Sequence, residues 1–142
     1  MTTTTANPAN VGQTVTTTGL SAHAHWFLRI ALASVFLFHG VGKLVNVSGF
    51  AEMMGLPIIA TWLVTLAEVG GGLGILVGAF GRDWLTRFSA AVLIPVMLGA
   101  IALVHFPQWS FVASETHPMG GMEFQVVLTL IAAYFVARGN DA

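Results

Sequence analysis

The stretch that decides the fold is PIIATWLVTLAEVGGGLGILVGAF, residues 57–80, in which Glu68 is the only ionisable side chain. A transmembrane helix needs about 20 consecutive, mostly apolar residues to cross a hydrocarbon core of about 30 Å. The stretch opens with Pro57, and a proline suits the first turn of a helix. We therefore predict a membrane-spanning helix over residues 58–80.

Three further stretches have the same character and predict spans over residues 27–45, 84–106 and 119–137. Of the 142 residues, 56% are hydrophobic and 8% are charged, whereas a soluble domain carries about 25% charged residues. The runs are continuously apolar rather than alternating, which argues against the strands of a membrane barrel. The predicted fold class is all-α, an integral membrane four-helix bundle that is surrounded by lipid.

The remaining segments are assigned by their composition. Residues 1–24 are rich in Thr and have no periodic apolar face, which predicts a disordered cytoplasmic tail, and residues 25–139 form the four-helix domain. Residues 46–56 predict a short interfacial helix, and residues 106–119 form the longest loop. Pro95 predicts a kink in the third span, because proline removes a backbone hydrogen bond.

The basic residues predict the orientation. If both termini are cytoplasmic, Arg29, Arg82, Arg87 and Arg138 lie at the inner face, and the outer face keeps Lys43. This distribution follows the positive-inside rule. We therefore predict a multi-pass protein of the bacterial cytoplasmic membrane with both termini inside.

Charge and cysteine content exclude several classes of function. A net charge of −1 provides no basic field for nucleic acid. The absence of Cys excludes disulfides, thiolate metal sites, iron–sulfur clusters and a CxxC redox mechanism. We expect no metal site and no intrinsic cofactor, so a redox role would depend on a bound quinone or on a partner protein.

Five ionisable residues from four predicted helices share the outer half of the bundle: His39, Lys43, Glu68, His105 and Glu123. At about 1.5 Å per residue, Lys43 lies roughly 3 Å, His39 roughly 9 Å and Glu68 roughly 15 Å below the outer boundary. Ionisable side chains within spans are costly and are functional candidates by default. We expect Glu68 to pair with Lys43 or His39, because an unpaired carboxylate there would be neutralised instead.

Helical spacing predicts inward-facing stripes that enclose a polar cavity open to the outside. The stripes are Arg29, Phe36, His39/Gly40 and Lys43 on the first span, Thr61, Thr65, Glu68 and Gly72 on the second, and Glu123, Val127, Leu130 and Tyr134 on the fourth. A simpler interpretation also holds for Arg29, Lys43 and Glu123, which lie near span ends and can snorkel to water; for Arg29 we favour it. His39 is also explained as a core histidine, His105 as a boundary residue and Glu68 as part of a structural ion pair.

The glycines of the second span predict helix packing. Gly70, Gly74 and Gly78 form two overlapping GxxxG patterns, which let helix backbones approach closely. We expect them to pack within the bundle rather than in a homo-oligomer. Gly71 and Gly72 flank Glu68 and predict free volume there, for a flat ligand or for the bulk of His39 or Phe36.

Several segments, taken in order, resemble the DoxX family of small four-helix membrane proteins. They are HGVGKL (residues 39–44), GLP (55–57), AEVGGGLGILVG (67–78), GRDWLTRFSAA (81–91), His105 and GGMEF (120–124). The resemblance covers residues 26–139 and implies relatives among subunits of terminal quinol oxidases and of thiosulfate:quinone oxidoreductase. Other members are linked to oxidative-stress responses or to assembly of membrane complexes. The family's recurrent polar positions would fall on Lys43, Glu68, His105 and Glu123.

Together these features predict an accessory subunit of a membrane redox system that interacts with quinone or quinol. His39, Lys43 or His105 would donate hydrogen bonds, Glu68 would relay protons, and a redox partner would supply the electrons. The alternative is a non-catalytic structural or assembly subunit of a larger membrane complex. Axial haem ligation by His39 and His105 and transport through Glu68 are less favoured.

Overall fold

The computed structural model of the chain describes Gly19 and residues 23–142, so the predicted disordered tail lies almost entirely outside the described residues. Those residues are all-α, as predicted. The helices are α1 (His25–Val45), α2 (Val47–Met54), α3 (Ile58–Gly78), α4 (Asp83–Ala100) and α5 (Glu123–Arg138). A π-helical turn, Ile101–His105, continues α4, and a 3-10 turn, Gly139–Asp141, follows α5.

Three helical segments are long and apolar enough to cross a membrane: α1, α3, and α4 together with its π-helical turn. Large apolar side chains such as Phe38, Leu63 and Leu103 point out of the bundle and are more than half exposed. An apolar outer surface of this kind is a lipid-contacting surface, so the protein is a multi-pass membrane protein. At about 1.5 Å per residue, α5 is about 24 Å long, shorter than the hydrocarbon core of about 30 Å.

The short helix α2 confirms that a helix lies between the first two spans, and its position at the membrane interface stays a prediction. The Asn46 side chain caps its start by accepting a hydrogen bond from Gly49 N, and Gly55 ends it with a left-handed φ of 63°. The predicted start of the fourth helix at residue 119 is wrong, because Gly121 N and Met122 N donate to Ser110 O and Gln108 O of the preceding loop. Helix α5 therefore begins only at Glu123.

Helix α3 is the centre of the bundle, because it packs against both α1 and α4, and α4 packs in turn against α5. Gly74 and Gly78 contact Ser89 and Thr86 of α4, as the glycine pattern predicted. The prediction is wrong for Gly70, where an added Cβ would meet no atom within 4 Å. The contact row is Gly71, Gly74 and Gly78, whose spacing of three and four residues follows the helical turn.

The free volume predicted at Gly71 and Gly72 is also absent, because neighbouring leucines fill it. A Cβ on Gly71 would lie 2.6 Å from the Leu93 side chain, and one on Gly72 would lie 2.9 Å from the Leu37 side chain. These glycines therefore bring α4 and α1 close to α3.

The predicted inward stripe of α5 is wrong by about one residue in helical phase. Val127, Leu130 and Tyr134 are 47%, 65% and 39% exposed, whereas Leu128, Ala132 and Phe135 are buried in the core. Residues on nearly every side of α5 are apolar, so the hydrophobic pattern does not indicate which face turns inward.

Arg29 closes the end of the bundle that holds both ends of the described chain, and the predicted snorkelling is wrong. Its side chain is fully buried. Its guanidinium donates to Ile75 O, Thr86 Oγ1, Gly139 O and Asn140 Oδ1 at 2.7–3.3 Å. It also lies 4.7 Å from the centre of the Phe135 ring. These contacts join α1, α3, α4 and the segment after α5.

Candidate functional site

A cavity of about 730 Å³ lies in the other half of the bundle, between the C-terminal halves of α1 and α4 and the N-terminal halves of α3 and α5. Most of its wall is apolar, with residues such as Phe36, Val64 and Leu128. The polar groups in the wall are His39, Lys43, Glu68, His105 and Gln125. The structure thus places four of the five predicted site residues around one cavity, and Glu123 is not among the lining residues.

Lys43 and Glu68 form a largely buried ion pair in this wall. Lys43 Nζ lies 2.6 Å and 2.8 Å from the two carboxylate oxygens of Glu68, and the side chains are 11% and 5% exposed. Of the two partners predicted for Glu68, the structure selects Lys43. Its ammonium group also lies 4.9 Å from the centre of the Phe50 ring, which favours a cation there.

The backbone of α1 brings this pair together at Gly40, one turn before Lys43. A Cβ on Gly40 would lie 2.7 Å from Val69 Cγ2 and 3.0 Å from Glu68 Cβ. Only glycine permits this crossing of α1 over α3, because any larger side chain would separate the helices. The first glycine of the HGVGKL segment therefore positions Lys43.

The predicted stripe of α3 does face inward, since Thr61, Thr65 and Glu68 are all buried. The two threonine hydroxyls donate to Pro57 O and Thr61 O of their own helix, at 3.3 Å and 2.7 Å. Their hydrogens are therefore engaged within α3, and Glu68 is the ionisable group that this helix contributes to the cavity.

His39 lies at the rim of the cavity. It lines the cavity and is also exposed on the outer surface of α1, beside the Phe38 ring at a centroid distance of 5.5 Å. The explanation of His39 as a core histidine is therefore wrong, because Gly40 occupies the buried face. The His39 side chain therefore connects the cavity wall with the outer surface of α1.

His105 is held by hydrogen bonds at both ring nitrogens. Nδ1 lies 2.8 Å from Gly120 O, and Nε2 lies 2.8 Å from the side-chain nitrogen of Gln125. The π-helical turn, whose wider spacing is frequent at functional sites, brings this ring to the cavity wall. Its burial does not fit a simple boundary residue.

Sequence reasoning missed Gln125, which lines the cavity from the first turn of α5. A usable signal was present, because Gln125 and Thr129 are polar, stand four residues apart and fall on one face of an otherwise apolar helix. Polar side chains in a membrane helix turn toward the bundle interior. This rule predicts the observed phase of α5.

Glu123 lies outside the cavity and belongs to the connection between α4 and α5. Its Oε2 accepts a hydrogen bond of 3.3 Å from Phe111 N, and Phe111 lines the cavity. A carboxylate in the first turn is also favoured by the helix dipole. Glu123 therefore holds the loop between α4 and α5 at the cavity end of the bundle.

The family model for DoxX matches residues 24–106. The chain belongs to the DoxX family. The matched region contains α1 to α4 with the π-helical turn, and hence His39, Lys43, Glu68 and His105, whereas α5 of this DoxX protein lies beyond it. A search of curated proteins and a search of solved structures each found no match.

Among the residues that the structure describes, no three His, Asp or Glu side chains of this DoxX protein come together as a metal site. Ligation of a haem iron by His105 would also require one of its two hydrogen bonds to break. The polar side chains that line the cavity, from His39, Lys43, Glu68, His105 and Gln125, can all form hydrogen bonds.

Proposed function

We propose that this DoxX protein is an accessory subunit of a membrane redox system and binds a quinone or quinol in the cavity. The supporting observation is an apolar cavity of about 730 Å³ with a buried Lys43–Glu68 pair in its wall. Ligand sites typically measure about 300–1,000 Å³ and combine apolar walls with a few polar groups. The apolar wall suits an isoprenoid tail, and the polar groups suit a ring with two oxygens.

The ion pair can bind the oxygen of such a ring directly. An ammonium group has three hydrogens, and in the described part of the chain Lys43 directs two of them to the oxygens of Glu68. The third is available to a quinone carbonyl. Reduction of a quinone to a quinol takes up two electrons and two protons, for which Glu68 and the rim residue His39 are proton carriers. The chain contains no Cys, so a partner protein supplies the electrons.

The proposal includes an orientation in the bacterial cytoplasmic membrane. Arg87 donates to carbonyl groups at the end of α5, including Val136 O and Ala137 O at 2.8 Å, so it shares one end of the bundle with Arg29 and Arg138. Lys43 lies at the opposite end. By the positive-inside rule, the arginine end is cytoplasmic and α5 is the fourth span.

A structural or assembly subunit is the second proposal, and the completeness of the Lys43–Glu68 contact favours it. An ion pair in which the two charges meet directly can have a purely structural role, that of holding α1 against α3. In that case, deletion of the protein lowers the abundance of its partner complex, and Glu68→Gln restores that abundance as well as the wild-type protein does.

The proposed quinone site is tested by mass spectrometry of the organic extract from protein purified in mild detergent. We expect about one quinone per wild-type chain and a loss of quinone in Glu68→Gln. The double variant Lys43→Met/Glu68→Gln, which leaves no unpaired charge, shows the same loss in a folded protein. Glu52→Gln, an exposed carboxylate of α2 outside the cavity, is the matched control and retains quinone.

The result that contradicts quinone binding is equal quinone in the wild-type protein, the cavity variants and a mock purification. Such a result would favour the assembly proposal, and the partner abundance test then decides whether that proposal holds.

A further inference from the structure

We infer that Gln125 and His105 form a second polar group in the cavity wall, which contacts the ring of the ligand. This group selects a ring that bears a hydroxyl hydrogen, so the cavity prefers a quinol over a quinone. The inference rests on the proposed function, because it specifies which form of the ligand the same cavity binds.

The hydrogen-bond chain through His105 determines the orientation of the Gln125 amide. The carbonyl of Gly120 can only accept, so the neutral imidazole carries its hydrogen on Nδ1. Nε2 then has a lone pair and no hydrogen, and it must accept from its neighbour. Gln125 therefore turns its NH₂ group to His105, at 2.8 Å, and not its oxygen.

This orientation leaves the amide oxygen of Gln125 as an unsatisfied acceptor. Oε1 is buried and has no hydrogen-bond partner among the described residues. Gln125 itself lines the cavity. A buried acceptor without a donor is unfavourable, and a ligand group that supplies the hydrogen therefore gains affinity. Because protein atoms cover Oε1, we expect the side chain to shift toward the cavity when such a group binds.

The two redox forms of the ligand differ in the property that this acceptor recognises. The ring oxygens of a quinone are acceptors only, and they would repel Oε1. A quinol has hydroxyl donors on opposite sides of its ring. The cavity offers polar groups on two walls, Lys43 and Glu68 from α1 and α3, and His105 and Gln125 from the π-helical turn and α5. One hydroxyl can thus meet each wall.

The test compares a short-chain alkyl hydroquinone with its dimethyl ether, which has a similar shape but no hydroxyl hydrogen. We expect the preference of the wild-type protein for the hydroquinone to fall about tenfold in Gln125→Met, equivalent to about 1.4 kcal/mol. Affinity for the ether does not fall, which shows that the cavity is intact. Thr129→Val, one turn further along α5 and outside the cavity, is the matched control and keeps the preference.

Two further variants keep the test decisive. Gln125→Asn is too short to reach His105, and His105→Phe removes the group that orients the amide; both lose the preference even if Gln125→Met does not fold. An unchanged preference in a folded Gln125 variant overturns this inference while leaving the quinone site intact. Failure of the wild-type protein to bind either compound overturns the proposed function itself.

Discussion

At the scale of single residues, this DoxX protein encloses two cations, Lys43 and Arg29, and surrounds them with different kinds of partner. Lys43 has the carboxylate of Glu68, so the pair is neutral. Arg29 donates to two backbone carbonyls and to the side chains of Thr86 and Asn140, and no described carboxylate forms a salt bridge with it. Loss of Lys43 should therefore have different consequences from loss of Arg29.

Removing only one member of the Lys43–Glu68 pair should destabilise the protein more than removing both. Lys43→Met leaves a buried carboxylate without its partner, and breaking a buried pair in this way costs about 3–5 kcal/mol in soluble proteins. The double variant Lys43→Met/Glu68→Gln should recover most of that loss. Thermal unfolding in detergent measures both, and a double variant no more stable than Lys43→Met would contradict the buried pair.

Arg29→Gln should unfold at a clearly lower temperature than the wild-type protein. Several hydrogen bonds to a charged group are lost at once, and each is worth about 1.5–3 kcal/mol when its partners stay buried. Arg138→Gln is the matched control, because the Arg138 side chain is exposed and, among the described residues, donates hydrogen bonds only to Asp141 O. Equal effects of the two substitutions would show that Arg29 snorkels as the sequence first suggested.

The sequence predicted the pairing of Glu68 because its depth left few partners, and Lys43 was one of two. It did not predict the burial of Arg29, because a cation near a span end has the same sequence pattern whether its side chain snorkels to water or is enclosed by the bundle. The acceptors that enclose Arg29 come from Ile75, Thr86 and the segment 139–140, which are brought together only by the folded bundle.

At the scale of helices, the crossing of α1 over α3 at Gly40 sets the position of the ion pair. Gly40→Val should push the helices apart, because its side chain would overlap Val69, and overpacking of this kind costs about 1–3 kcal/mol. Gly42→Val is the matched control in the same segment, since an added Cβ there meets no atom within 4 Å.

The expected result is a lower unfolding temperature and loss of bound quinone for Gly40→Val, with both retained in Gly42→Val. Quinone retained at wild-type level by a folded Gly40→Val protein would show that the crossing does not position Lys43 for the ligand.

The helices also show where sequence patterns are informative in a membrane protein. The stripe of α3 was predicted correctly because polar threonines and Glu68 mark one face of an apolar helix. The stripe of α5 was chosen from Glu123, which bonds to the loop and not to the core. Lipid accepts apolar residues on every outward face, so only the polar residues Gln125 and Thr129 indicate which face of α5 turns toward the bundle interior.

At the scale of the whole molecule, the proposed topology predicts which residues each side of the membrane can reach. The chain has no Cys, so single cysteines report position without background. A membrane-impermeant maleimide is added to cells whose outer membrane is permeabilised and whose inner membrane is intact. It should label Glu115→Cys in the loop before α5. It should label Arg82→Cys and Asp141→Cys only after the inner membrane is opened.

Each of these three residues is exposed, so lack of labelling in intact cells reports the side of the membrane rather than burial. Labelling of Asp141→Cys and Glu115→Cys from the same side would show that α5 does not cross the bilayer. Labelling of Arg82→Cys from outside would reverse the orientation.

The cavity is the property of the whole molecule that sequence could predict only in outline. Depth and helical phase predicted a polar cavity in the half of the bundle that contains Lys43 and Glu68. They did not predict the contribution of the connection after α4, where the π-helical turn and Gly120 position His105. Backbone turns of this kind depend on tertiary contacts, and no local sequence pattern predicts them.

The central claim is that a quinone or quinol occupies this cavity, and photolabelling tests it most directly. A short-chain azidoquinone is bound to the purified protein, activated by light and located by peptide mass spectrometry. The account predicts labels on cavity residues such as Val64, Gly99 and Leu128, with labelling suppressed by an excess of unlabelled quinol and in Lys43→Met/Glu68→Gln. Labels spread over the outer surface, at Phe38 or Leu63, and unaffected by competitor would contradict it.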